Sequence, residues 1–178
     1  MGLGDDAQRA IRTMRETWTK GGVGELQVAL AASGSVEMLR TLREPLRRSI
    51  ERLLGPATGC CEWVSLTPFV PPRFIKKRGA HTLEGQINAE LRSRGLPEAM
   101  EVEVLCEESK NFRHFVVSRS GGKVPPQNLA LCVRIKLVRS LSGDHGPLTL
   151  GYGAHFGLGL FQSVQSACSR TGGSLTAR

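Results

Sequence analysis

Arg73, Lys76, Lys77 and Arg78 place four cations within six residues, next to Pro71-Pro72 and with Phe74 among them. Proline fixes its own φ and holds such a segment extended. Charges spaced along an extended segment can follow phosphates, and an aromatic ring between them offers a face on which a base stacks. An ordinary solvated loop has the same composition, and that reading stays open beside the first. A second stretch, Gly151-Tyr152-Gly153-Ala154-His155-Phe156-Gly157-Leu158-Gly159-Leu160-Phe161, has glycine at four positions. Glycine permits sharp turns and close approach to a ligand, with N–H groups turned toward an anion. Tight packing between a sheet edge and a C-terminal segment demands glycine equally. The stretch contains neither GxxxxGK[ST] nor the dinucleotide fingerprint, so nucleotide-phosphate binding of those types is not indicated.

Two histidines keep company with these stretches: His81 follows the basic loop and His155 lies inside the glycine run. RNA cleavage without a metal needs a base at the ribose 2′-hydroxyl, an acid at the 5′-oxygen and cations around the phosphorane. Imidazole titrates in the range suited to the first two roles. Each of the two also fits a structural role. His114, in Phe112-Arg113-His114-Phe115, alternates with aromatics, and His145, in Gly143-Asp144-His145-Gly146, reads as a turn residue. Arg113 and Arg119 are further candidate RNA contacts.

Other chemistries find little support. There is no GxSxG elbow for a serine nucleophile. Glu101, Glu103, Glu107 and Glu108 cluster around one strand, but the surrounding features are cationic rather than those of a sugar-hydrolysing pair. The five cysteines form no CxxC and no zinc-finger spacing, so neither a metal nor a cofactor is expected. Cys106 and Cys132 fall in apolar strand-like runs and read as reduced core residues.

The formal charge of +8 is spread along 178 residues, which favours a polyanionic partner. No run of about 18 apolar residues is present, and Met1 to Arg9 is too polar for a signal segment. A cytoplasmic protein with no membrane partner is the expectation.

The elements that must position these residues follow from periodicity. Ile11, Met14 and Trp18 predict a short amphipathic helix, and Glu25 to Ala32 a strand. Val36, Leu39, Leu42, Leu46, Ile50 and Leu53 predict one helix face, capped by Ser35 and Gly55 and broken at Pro45. Arginines at 40, 43, 47, 48 and 52 line the other face, as a solvated surface or an RNA surface. Glu62 to Val70 reads as a strand, with Pro68 marking it as an edge or as an end. Thr82 then caps a helix carrying Leu83, Ile87 and Leu91, in which Gly85 permits a close approach. Strands are predicted at Glu101 to Leu105, Phe112 to Ser118, Leu129 to Arg139 and Pro147 to Leu150. This order predicts an α+β fold: an antiparallel sheet with helices on one face, of ferredoxin-like (RRM-like) type. The expected division is 1–60, a strand-helix segment; 61–162, the main domain; and 163–178, a flexible tail.

The stretch Trp63-Val64-Ser65-Leu66-Thr67-Pro68-Phe69-Val70, then Pro72-Arg73 with the basic run and Glu84-Gly85-Gln86-Ile87, resembles the C-terminal part of the type I-U (I-G) CRISPR subunit. The glycine run is similar to that family's closing signature, and the likeness spans about residues 62–161. The family belongs to the RAMP superfamily and fuses two RAMP units. One holds the repeat-derived end of the guide RNA; the other cuts the CRISPR precursor. The resemblance implies that 1–60 is the end of a truncated first unit and that 61–162 binds CRISPR repeat RNA alongside other subunits of a type I effector complex. It further implies metal-independent cleavage within repeats that leaves a 2′,3′-cyclic phosphate, or binding alone where the catalytic histidine is lost. His81 matches the place of a catalytic histidine near the first helix, with His155 as second candidate. Arg73, Phe74, Lys76, Lys77, Arg78 and glycines 151, 153, 157 and 159 become the expected RNA contacts. RAMP processing enzymes usually have five residues between their two GxG elements, whereas three separate Gly153 from Gly157.

Overall fold

The computed structural model describes residues 4–18, 25–112, 127 and 129–164. They form two compact units, Met1–Arg47 and Arg48–Arg178, a division upstream of the compositional boundary at 60/61.

In the first unit, α1 (Asp5–Thr13) opens with two aspartates in its first turn and closes with Arg12 in its last, complementing the helix dipole. It stops short of the expected helix: Thr13 bonds its hydroxyl back to the Arg9 and Ala10 carbonyls, and Met14 is already extended. Trp18 therefore belongs to a strand, β1 (Glu16–Trp18), paired antiparallel with β2 (Glu25–Gln27). β-Branched and aromatic residues favour that state. The expected strand to Ala32 ends at Gln27, where its three-residue partner runs out. α2 (Val36–Arg40) is capped by the Ser35 hydroxyl, which accepts from the Met38 N–H at 3.4 Å. Among residues 4–16 and 27–47 none is buried.

The helical period resumes after Pro45 in α3 (Leu46–Leu54), as the missing proline N–H requires. Gly55 follows at φ +75°, supplying the left-handed turn. The second unit is built on β3 (Cys60–Ser65), α4 (Leu83–Ser93), β4 (Ala99–Val104), α5 (Cys106–Asn111), β5 (Val133–Leu141) and β6 (Phe161–Ser163). Four strands make one antiparallel sheet in the order β4-β5-β3-β6. Val133, Ile135 and Leu137 alternate into the core with Trp63, Phe69, Leu150 and Phe161, and α4 adds Ile87 and Leu91. At about 25 cal/mol per Å² of apolar area, these large side chains are the main stabilising contribution. Asn88, also buried, exchanges two hydrogen bonds with the Ala99 backbone, at 2.7 and 3.1 Å. The arrangement is α+β, with α4 packed on the core face.

Two elements differ from expectation. α5 occupies the stretch before the anticipated strand at 112–118. Glu107 and Glu108 in its first turn and Lys110 in its last favour a helix locally. It carries Cys106 to the surface, so only Cys132 of that pair is a core residue. Residues 113–118 lie outside the described residues. Pro147 to Leu150 forms no full strand; Thr149 makes a single bridge to Leu160 while Leu148 and Leu150 point into the core. No helix among the described residues is long and apolar enough to cross a membrane.

Candidate nucleic-acid interface

The chain leaves β3 through Leu66 to Val70, with Pro68, Phe69 and Pro71 fully buried. It then emerges as the basic loop. Arg73, Lys76, Lys77 and Arg78 are exposed, and Phe74 is 60% exposed. None of the four cations has a carboxylate partner among the described residues, unlike Arg92, Arg94 and Arg134 on the same unit. Unpaired, exposed and close in sequence, they repel one another and attract a polyanion.

Backbone bonds fix the loop's path. The Arg73 N–H donates to Gln86 Oε1 at 3.0 Å, while Gln86 Nε2 donates to the His81 carbonyl at 3.0 Å. The Lys76 N–H donates to the same His81 carbonyl at 2.9 Å, and the Ile75 N–H to Gln127 Oε1 at 3.0 Å. Thr82 caps α4 as its sequence predicts, accepting from the Gly85 N–H at 3.0 Å. Gly85 is required there: a Cβ would stand 2.8 Å from the Ala80 carbonyl oxygen.

The glycine run wraps around the segment that feeds this loop. The Tyr152 N–H donates to the Val70 carbonyl at 2.8 Å, and the Gly159 N–H to the Pro68 carbonyl at 2.7 Å. The Thr67 hydroxyl donates to the Gly157 carbonyl at 2.7 Å and accepts from the Leu160 N–H at 2.9 Å. The two stretches singled out in the sequence thus share Thr67 to Val70 as a common support.

All four glycines adopt positive φ, for different reasons. A Cβ on Gly159 would lie 1.7 Å from the Leu150 carbonyl oxygen, and one on Gly151 2.7 Å from that of Val70. These two serve backbone packing. Gly153 faces the Leu158 side chain, and Gly157 opens onto free space. The Gly151 N–H is taken by the Glu90 carboxylate, at 3.0 and 3.1 Å to its two oxygens. Arg94 holds that carboxylate at 3.2 Å and also donates to the Thr149 carbonyl.

His81 sits half-buried in the turn before α4, and His155 is exposed in a 3₁₀ turn with its ring 4.4 Å from that of Phe156. No contact joins the two histidines, and neither ring has a hydrogen-bond partner among the described residues. Arg113 and Arg119 lie outside the described residues.

The other face of the sheet has a different character. Glu62, Glu101, Glu103, Arg134 and Lys136 line a shallow cleft of about 220 Å³. Arg134 is paired there with Glu62 at 3.4 Å and Glu103 at 3.1 Å. Carboxylates outnumber cations and no aromatic side chain is among these residues, so this face is a poor platform for nucleic acid. No cluster of three or more His, Cys, Asp or Glu placed to hold a metal ion occurs among the described residues.

The positioning residues Gln86, Gln127, Thr67 and Glu90 were not singled out by sequence reasoning. Gln86 had a signal, since it shares the apolar stripe of Leu83 and Ile87, and a polar side chain in such a stripe needs a specific partner. Comparison with known proteins finds no match among protein-family models, curated proteins or solved structures.

Proposed function

We propose that the second unit is a ferredoxin-like RNA-binding domain of RAMP type, which holds CRISPR repeat RNA at the basic loop and the exposed part of the glycine run. The sheet order supports the fold: numbering β3, β4, β5 and β6 as the first to fourth strands gives 2-3-1-4, with α4 between the first and second. That is the order of a split βαβ unit. Two 3₁₀ turns, Gly143–His145 and Ala154–Phe156, occur where a second helix would lie between β5 and β6. The observation that carries the RNA reading is the loop with four exposed cations, none paired with a carboxylate among the described residues, and an exposed Phe74, supported by the same segment as the glycine run. CRISPR repeat RNA as the ligand, and a type I complex as the setting, rest on the sequence resemblance.

The reaction proposed is attack of the 2′-hydroxyl on the adjacent phosphate within the repeat. His81 or His155 moves the protons, and Lys76, Lys77 or Arg78 meets the developing charge. A second reading, a noncatalytic RNA-binding subunit of the same complex, is favoured by the histidine rings, since neither has a hydrogen-bond partner among the described residues and His155 only stacks near Phe156.

Neutralising Lys76, Lys77 and Arg78 together tests binding. For single-stranded RNA, three lost phosphate contacts should flatten the slope of log K against log salt by about 2 and weaken affinity at low salt. Unchanged affinity and slope would sink the RNA reading. Cleavage of a repeat RNA by the wild-type chain in EDTA separates the two readings, because tight binding without cutting selects the noncatalytic one.

A further inference from the structure

We propose that Gln86 is the positioning residue of the interface, holding the cationic loop in one shape before RNA arrives. This rests on the RNA reading above. Gln86 is 4% exposed, and both ends of its amide are engaged by loop backbone: Oε1 by the Arg73 N–H, Nε2 by the His81 carbonyl. One side chain on a rigid helix therefore ties together the residues that begin and end the basic stretch. The second bond on the His81 carbonyl, from the Lys76 N–H, closes the part of the loop that carries Lys77 and Arg78. Gln127 fixes Ile75 from a separate segment. Apolar burial explains little of the loop's order, because Phe74 and every cation are exposed and Ile75 is only half-buried; a small set of amide bonds supplies the rest.

Four like charges in a flexible loop spread apart, and a ligand must then supply the ordering free energy as it binds. A loop already held needs less, so its cations meet successive phosphates together. The same amide fixes the backbone of His81 relative to Lys76, and so places a proposed proton-transfer group beside a proposed phosphorane contact.

The test uses the whole chain and a uridine homopolymer as probe, since the phosphate contribution is independent of sequence. Gln86→Met keeps the length and apolar stem of the side chain and removes both polar partners. We expect binding about tenfold weaker and a shallower salt slope, with cooperative unfolding retained. A residue with only a structural role would lower the melting temperature and leave the affinity and slope of the folded protein unchanged. That result overturns the proposal, and it leaves the RNA reading intact if the Lys76/Lys77/Arg78 variant has lost binding. A triple variant that binds like wild type overturns both. If Gln86→Met does not fold, amide exchange on the wild-type chain decides: the Arg73, Ile75 and Lys76 N–H groups should exchange at least about tenfold more slowly than those of Lys77 and Arg78. Equal rates across the loop overturn the proposal.

Discussion

Gly159 and Gly157 share positive φ, at +60° and +86°, yet their surroundings make opposite demands on an alanine. At Gly157 an added Cβ meets nothing within 4 Å. Only the left-handed backbone opposes the substitution, which costs about 1–2 kcal/mol. At Gly159 the Cβ would lie 1.7 Å from the Leu150 carbonyl oxygen, an atom of the backbone that cannot rotate away. Relief requires shifting the chain between two hydrogen bonds, Gly159 N–H to Pro68 at 2.7 Å and Leu150 N–H to Gly159 at 2.8 Å. Overpacking adds about 1–3 kcal/mol and each weakened bond about 1 kcal/mol. Together with the backbone term, Gly159→Ala should lose about 4–7 kcal/mol, enough to unfold a domain at the low end of the usual stability of roughly 5–15 kcal/mol. Urea titration of both variants, followed by the fluorescence of buried Trp63, measures the difference directly. A gap below about 1 kcal/mol between them would refute the packing role of Gly159 and return that glycine to the set of candidate ligand contacts.

Asn88→Ala removes both side-chain hydrogen bonds to the Ala99 backbone, and should destabilise by about 1–3 kcal/mol in the same urea assay. Burial pushes the Cys132 thiol above its ordinary pKa; the Glu108 carboxylate adds to the rise and Arg134 opposes it. Exposed Cys106 should therefore react with iodoacetamide well before Cys132 at mildly alkaline pH, read by peptide mass. Because the folded thiol holds its proton longer than the unfolded one, its contribution to stability is intact below the unfolded pKa and declines as pH rises through the folded value. A Cys132→Ala chain should show a weaker alkaline decline in melting temperature. If His81 transfers a proton, His81→Ala should cut repeat RNA about 10²–10⁴-fold more slowly at nearly constant affinity, and wild-type cutting should persist in EDTA. His155→Ala identifies a positioning role if affinity and rate fall together.

Local chemistry was legible in the sequence. The Thr82 cap, the Leu83, Ile87 and Leu91 stripe and the break at Pro45 depend on residues within a turn or two of each other, where propensity and capping decide. The alternation of Val133, Ile135 and Leu137 likewise reports a strand with one buried face, and the run of cations in the basic loop is a property of composition. Tertiary structure decided what depends on distant partners. Whether Gly159 binds a ligand or makes room for Leu150 is set by a carbonyl nine residues away, and Gly151 by one eighty-one residues away at Val70, neither marked by any local pattern. Trp18 left the helical period because β2 offered a ladder, while Gln86 looked like one more helix residue until the loop folded back onto it. The sheet's strand order, and with it the split between a carboxylate-rich open face and a cationic loop, arises from pairings across the whole unit. Side-chain periodicity specifies which face of a strand is buried; it carries no record of which neighbour covers it.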